Sequence, residues 1–303
     1  MRELGFAMSR KYTQFGIFSV VAALVFGKVL CQWAMFAWGS ELFSHALLVP
    51  FISGYLIWIR KAEMGVEARP AYGVGAGFLA GALLLLGGYW QASHAGETLV
   101  LVDSLAIQML AFWCVLMSGV AFVFGIAELR RFCFPLGFLA FAVPFPALLT
   151  GWVTRVLQVG SADAAELLLR LSGMPVLRTG TEFRLPGFAM EVAPQCSGIH
   201  STVVLFIVSC VAGYLLLRTT RNRIILVLAV IPLALLRNGV RIFTIGQLCV
   251  NVDPKMIDSY IHKKGGPIFF ALSLIPFFAL LLFLRKREGQ KERATRTPGD
   301  QVQ

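Results

Sequence analysis

Two arginines four residues apart in an otherwise apolar stretch, Arg237 and Arg241, are the residues of this chain that most need a chemical explanation. An ionisable side chain inside a bilayer is costly, so each is a functional candidate by default. A spacing of four sets both guanidiniums on one helix face. They repel each other there unless an anion, a carboxylate or a dipole answers them. Snorkelling to the interface would account for Arg241, and less well for Arg237. Cys196 is the second candidate. In Pro194-Gln195-Cys196-Ser197-Gly198 it immediately precedes an apolar run, which places it at a helix N-terminus, where backbone dipoles stabilise negative charge on sulfur. A histidine that took the thiol proton and returned it to a leaving amine would complete a site for cysteine-based acyl transfer. His262, in Tyr260-Ile261-His262-Lys263-Lys264-Gly265-Gly266, and His200, four residues after Cys196 on the same helix face, both qualify. Spacing alone does not choose between them. His45 and His94 are expected at the outer ends of other apolar runs.

The elements that must position these groups follow from composition. The chain has 303 residues, of which 57% are hydrophobic and 14% charged, and its mean hydropathy is +0.75. A soluble domain is nearer half apolar and a quarter charged. The excess lies in runs of about twenty residues, the length that crosses a hydrocarbon core of roughly 30 Å. An ordinary soluble enzyme, a secreted disulfide scaffold, a disordered chain and a fibre are excluded. A β-barrel is disfavoured because its strands alternate apolar with polar residues. The reading is an all-α polytopic membrane protein with about eight transmembrane helices, near 15–36, 43–59, 72–90, 100–124, 132–149, 199–217, 224–248 and 267–284. Pro135, Pro144 and Pro146 should kink or shorten the fifth. A cytoplasmic N-terminus (1–14), a transmembrane domain (15–284) and a basic, disordered tail (285–303) complete the organisation.

Charge sets the expected orientation. Placing the N-terminus inside puts Arg2, Arg10 and Lys11, then Arg60, Lys61 and Arg69, then Arg130 and Arg131, then Arg218, Arg221 and Arg223, and the basic tail on the cytoplasmic side. Arg155, Arg170, Arg178, Arg184, Lys255, Lys263 and Lys264 remain outside. The asymmetry predicts both termini in the cytoplasm of an inner (plasma) membrane protein. The net charge of +11 is thereby explained without a nucleic-acid partner, since no basic stretch interleaves aromatics for stacking. At 1.5 Å per residue from the cytoplasmic Arg223, Arg237 lies about 21 Å and Arg241 about 27 Å along its helix, so Arg241 reaches the outer boundary. The long segment 150–198 then falls outside. Residues 151–171 have the spacing of an amphipathic helix at the interface, and 174–193, with Pro175, Gly180, Pro186 and Gly187, read as a short extended or hairpin segment. Six cysteines show neither CxxC nor metal spacing, and no disulfide framework, metal or cofactor is expected.

The ordered set of motifs resembles the exosortase/archaeosortase family of membrane transpeptidases. The matching residues are Pro194-Gln195-Cys196-Ser197-Gly198-Ile199, Leu236-Arg237-Asn238-Gly239-Val240-Arg241-Ile242, and His262 with Gly265-Gly266 and Phe269-Phe270 following. Phe43-Ser44-His45-Ala46-Leu47-Leu48-Val49-Pro50 and Pro135-Leu136-Gly137-Phe138-Leu139-Ala140-Phe141 add to it, and the likeness covers about residues 40–284. The resemblance implies a site of Cys196 as nucleophile, an arginine and His262 as base. Aligning Asn-x-x-Arg puts the arginine at Arg241, paired with Asn238; Arg237 is then an additional arginine one turn deeper. Arg237, Asn238, Ser197 and His200 are supporting residues. The implied partners are exported proteins bearing a C-terminal sorting signal, namely a short motif of the Pro-Glu-Pro type, a transmembrane helix and a basic tail, together with membrane lipids. The competing class is a transporter or a binder of anionic lipid-linked precursors, which needs the arginines but is indifferent to Cys196.

Overall fold

The computed structural model describes residues 2–63, 69–95, 99–258 and 265–295, and the chain divides into two compact units, Met1–Thr150 and Gly151–Gln303. In the first unit α1 (Arg2–Val25) and α2 (Gly27–Gly39) are two apolar helices that meet at a 75° bend at Phe26. A 3-10 turn at Ser44–Leu47 leads into α3 (Val49–Ile59), whose first turn accepts Pro50 because an N-terminal N–H has no intrahelical partner. Two helices of 23 residues each follow, α4 (Tyr72–His94) and α5 (Leu101–Val123). They are followed by the short α6 (Gly125–Arg131) and α7 (Cys133–Phe138) and a 3-10 turn, Leu139–Ala142.

The prolines expected to disturb the fifth span break it outright. Pro144 and Pro146 lie between the 3-10 turn and α8 (Ala147–Leu171). Backbone groups freed by such breaks must find partners in an apolar environment. Ser53 Oγ donates to the carbonyl of Pro135 (2.7 Å), Trp113 Nε1 to that of Leu136 (2.9 Å) and Trp33 Nε1 to that of Ala142 (2.8 Å). The Asp103 carboxylate accepts the N–H of Ala147 at 2.7 Å, capping the start of α8.

The second unit holds the rest of α8, a three-stranded antiparallel sheet and four further helices among the described residues. The strands are β1 (Leu177–Thr179), β2 (Glu182–Leu185) and β3 (Phe188–Glu191), in the order β1-β2-β3. Gly180-Thr181 and Pro186-Gly187 make the two-residue turns, with both glycines at positive φ. The side-chain period of two sends Phe183, Leu185 and Met190 to one face. There they pack with Ala162, Ala165 and Leu169 of α8 and with Ile242. Arg178 pins β1 to α8 through Asp163 (2.6 Å) and Glu166 (3.0 Å).

The helices are α9 (Ile199–Leu216), α10 (Thr220–Leu228), α11 (Val230–Asn251) and α12 (Gly266–Thr295). Leu205, Leu226, Val230 and Phe277 centre their shared core. Glu288 of α12 closes the α9–α10 turn, accepting from the N–H groups of Arg218 (2.8 Å) and Thr219 (2.9 Å), from Thr219 Oγ1 and from Asn222 Nδ2 (2.9 Å).

Among the described residues five helices are long and apolar enough to span a membrane, or up to seven if both bent pairs count as one span each, against the eight expected. The expected second span, 43–59, is the shorter apolar segment Ser44–Ile59. The amphipathic stretch 151–171 is continuous with the end of the expected fifth span, since α8 starts at Ala147. The hairpin expected in 174–193 has three strands. Beyond 285, where a disordered tail was expected, α12 stays helical to Thr295 because Arg285, Lys286, Arg287 and Glu288 are good helix formers.

Candidate active site

Cys196 ends a 3-10 turn, Pro194–Cys196, that joins the sheet to α9. Its N–H donates to the carbonyl of Ala193 (2.8 Å) and that of Ser197 to the carbonyl of Pro194 (3.1 Å). Gly198 follows at φ +75°, a left-handed conformation that glycine adopts without a Cβ clash. It is the N-cap of α9, and no side chain caps this helix end. The N–H groups of Ile199, His200 and Ser201 therefore have no acceptor within the helix. The half-buried Cys196 thus stands two residues before the N-cap of α9, as its position before the apolar run suggested.

α11 supplies the other half. Asn238, 2% exposed, donates from Nδ2 to the carbonyl of Cys196 at 2.8 Å. Arg237, 8% exposed, donates from Nη2 to the carbonyl of Gly198 (3.1 Å) and to Thr202 Oγ1 (3.2 Å). Thr202 Oγ1 in turn donates to the same Gly198 carbonyl at 2.8 Å. Both residues therefore grip the backbone of the cysteine turn. α11 reaches this position because Gly239 lies against α8: a Cβ there would stand 2.6 Å from Ala164 Cβ and 3.2 Å from the α8 backbone.

Arg241, one turn beyond Arg237, lines a small cavity of about 30 Å3 together with Cys196 and Asn238. Glu191 and Val192 at the end of β3, and Ile257 from the 3-10 turn Pro254–Asp258, complete its rim. The two arginines singled out by sequence thus divide their surroundings: Arg237 is spent on the turn, while Arg241 faces the cavity that Cys196 borders. The buried Nη1 of Arg237 and the buried Oγ of Ser197 (1% exposed) have no hydrogen-bond partner among the described residues.

His262 lies outside the described residues, which resume at Gly265 immediately before α12. His200 is exposed on the first turn of α9 and does not line the Cys196 cavity. His45 and His94 belong to the first unit, where His94 Nδ1 pairs with the carbonyl of Trp90 at 2.8 Å. Sequence reasoning missed Thr202, Glu191 and Ile257. Only Thr202 carried a signal, standing four residues after Gly198 on the first turn of an apolar helix. The sequence contains nothing that links Glu191 or Ile257 to Cys196.

No curated protein and no solved structure matches the chain. A family model does, over residues 37–293, a range that contains the cysteine turn, both arginines and the segment bearing His262. That match covers most of the chain and agrees with the motif resemblance and with the apolar helices, so the chain belongs to the transmembrane exosortase family.

Proposed function

We propose that the chain is a membrane cysteine transpeptidase acting on exported proteins that carry a C-terminal sorting signal of short motif, transmembrane helix and basic tail. The observation that carries this reading is the shared cavity: Cys196 and Arg241, from different elements, border one space. The Cys196 thiolate attacks the carbonyl carbon of the scissile peptide bond. The resulting oxyanion is held by Arg241 and by the first-turn N–H groups of α9. The C–N bond then breaks, His262 gives its proton to the leaving amine, and the tail helix departs, leaving a thioester on sulfur. An acceptor amine or water loses a proton to His262, attacks the thioester carbonyl and restores the thiolate. The site faces the extracytoplasmic side, a placement the distribution of Lys and Arg supports, and a substrate helix docks laterally in the bilayer.

Against the alternative of a transporter or anionic-precursor binder stands the placement of Arg237. It is buried and already donates to Gly198 and Thr202, so the two guanidiniums are not a paired anion clamp. Cys196→Ala separates the two readings. Processing of a secreted reporter ending in a Pro-Glu-Pro motif, apolar helix and basic tail should cease, with the variant still made and inserted. Retained processing would remove the cysteine transpeptidase reading, and a wild-type chain that never processes the reporter would leave the binder standing.

A further inference from the structure

The cavity beside Cys196, about 30 Å3, is little more than the room one water needs. A polypeptide substrate cannot be swallowed there and must be held along the surface next to it. One element at that surface has unspent hydrogen-bonding capacity. The register pairs Leu185 with Phe188 and Phe183 with Met190, and the N–H of Val192 donates to the carbonyl of Thr181 at 3.0 Å. In an antiparallel ladder, bonded and non-bonded pairs alternate. The backbone groups of Phe188, Met190 and Val192 therefore point at β2, and those of Ala189 and Glu191 point the opposite way. β3 is an edge of the sheet, so among the described residues the outward N–H and C=O of Ala189 and Glu191 meet no further strand. Their side chains lie on the exposed face, away from the core formed by Phe183, Leu185 and Met190.

The geometry points to β3 as the docking strand of the transpeptidase proposed above: an extended stretch of the substrate adds to the Ala189–Glu191 edge as a fourth strand, which lays its scissile carbonyl at Cys196. Three observations support this occupant over others. The free edge ends at Glu191, and Glu191, Val192 and Cys196 border the same small cavity, so a peptide bonded to the edge runs on toward the cysteine. Phe188–Glu191 contains no proline and no bulge that would interrupt its outward pattern, so it presents two regular rungs, Ala189 and Glu191. Addition to a sheet edge reads main chain, with side chains sampled at alternate positions. That suits a substrate whose motif is short and whose proline residues favour extended backbone.

The inference rests on the transpeptidase reading, and its test separates the two. Ala189→Pro and Glu191→Pro each remove one outward N–H without costing a β2–β3 ladder bond. Each should slow processing of the Pro-Glu-Pro reporter by about three- to ten-fold, the worth of one backbone hydrogen bond. Alkylation of Cys196 by N-ethylmaleimide should keep its wild-type rate, which reports an intact turn. With the wild-type enzyme, a synthetic sorting signal bearing single N-methylated amides ahead of its apolar helix should lose cleavage at every second position. Equal loss at consecutive positions, or wild-type processing by both proline variants, overturns the docking strand. If that occurs while Cys196→Ala is inactive, the transpeptidase reading survives; if Cys196→Ala still cleaves, the reading itself has failed.

Discussion

At the scale of single residues, the two arginines should behave differently despite sitting four positions apart. Arg237→Ala deletes charge-assisted bonds to Gly198 and Thr202 and leaves their oxygens to be resolvated. A loss of about 1.5–3 kcal/mol in stability is expected, read as a lower melting temperature in detergent. Arg241→Ala should abolish processing, because it removes the guanidinium that lines the Cys196 cavity. Arg241→Lys should recover only part of the activity, because an ammonium lacks the planar fork of a guanidinium. Loss of processing in Arg237→Ala alone would reverse the assignment. Gly198→Ala is a third case. A Cβ there would lie 2.8 Å from Arg237 Nη2, and the left-handed backbone adds about 1–2 kcal/mol of strain. Thermal melting should show it destabilised even though the thiol and both arginines remain. Cys196, Arg237 and Arg241 were legible in the sequence because a membrane makes isolated polar groups conspicuous. The division of labour between the arginines was not, since it depends on which guanidinium faces the turn.

At the scale of elements, the breaks in the apolar runs are where the fold departs from a count of spans. Hydropathy windows see length and composition, and they cannot see that Pro144 and Pro146 end a helix or that α1 and α2 bend at Phe26. What makes the breaks tolerable is the set of side chains that accept the role of missing backbone donors. Trp33→Phe keeps the ring but removes the donor to Ala142, and Ser53→Ala does the same at Pro135. Trp33→Phe should cost about 1–3 kcal/mol by taking the side-chain donor from the Ala142 carbonyl, and Ser53→Ala about 0.5–1.5 kcal/mol, since the Pro135 carbonyl keeps the N–H of Leu139; both read as a lower detergent melting point. The seam between α8 and α11 is the other element-level contact on which the site depends. Gly239→Val would force a branched side chain into Ala164, displacing Asn238 from the Cys196 carbonyl. Faster or slower alkylation of Cys196 by N-ethylmaleimide would register that shift; an unchanged rate together with full processing would contradict it. The amphipathic stretch 151–171 was visible from its spacing, and so was an extended segment near 174–193. The third strand was not, because four-residue strands give little periodicity to read.

At the scale of the whole molecule, the asymmetry of Lys and Arg predicts that both termini share one side and that Cys196 opens to the other. With the remaining cysteines replaced, a membrane-impermeant maleimide added to intact cells should label Cys196, and a tag after Thr295 should be reached only after permeabilisation. The family was legible in the ordered motifs, and the match over residues 37–293 bears it out. The chemistry remains to be caught in the act. The most direct measurement is to offer the purified protein a reporter with a Pro-Glu-Pro motif, apolar helix and basic tail, quench at short times and seek a covalent adduct by mass spectrometry. The account predicts an adduct on Cys196 that hydroxylamine releases, as a thioester demands, and that accumulates when acceptor nucleophiles are withheld. Cleavage that proceeds with no adduct on Cys196, or that persists in Cys196→Ala, would contradict it.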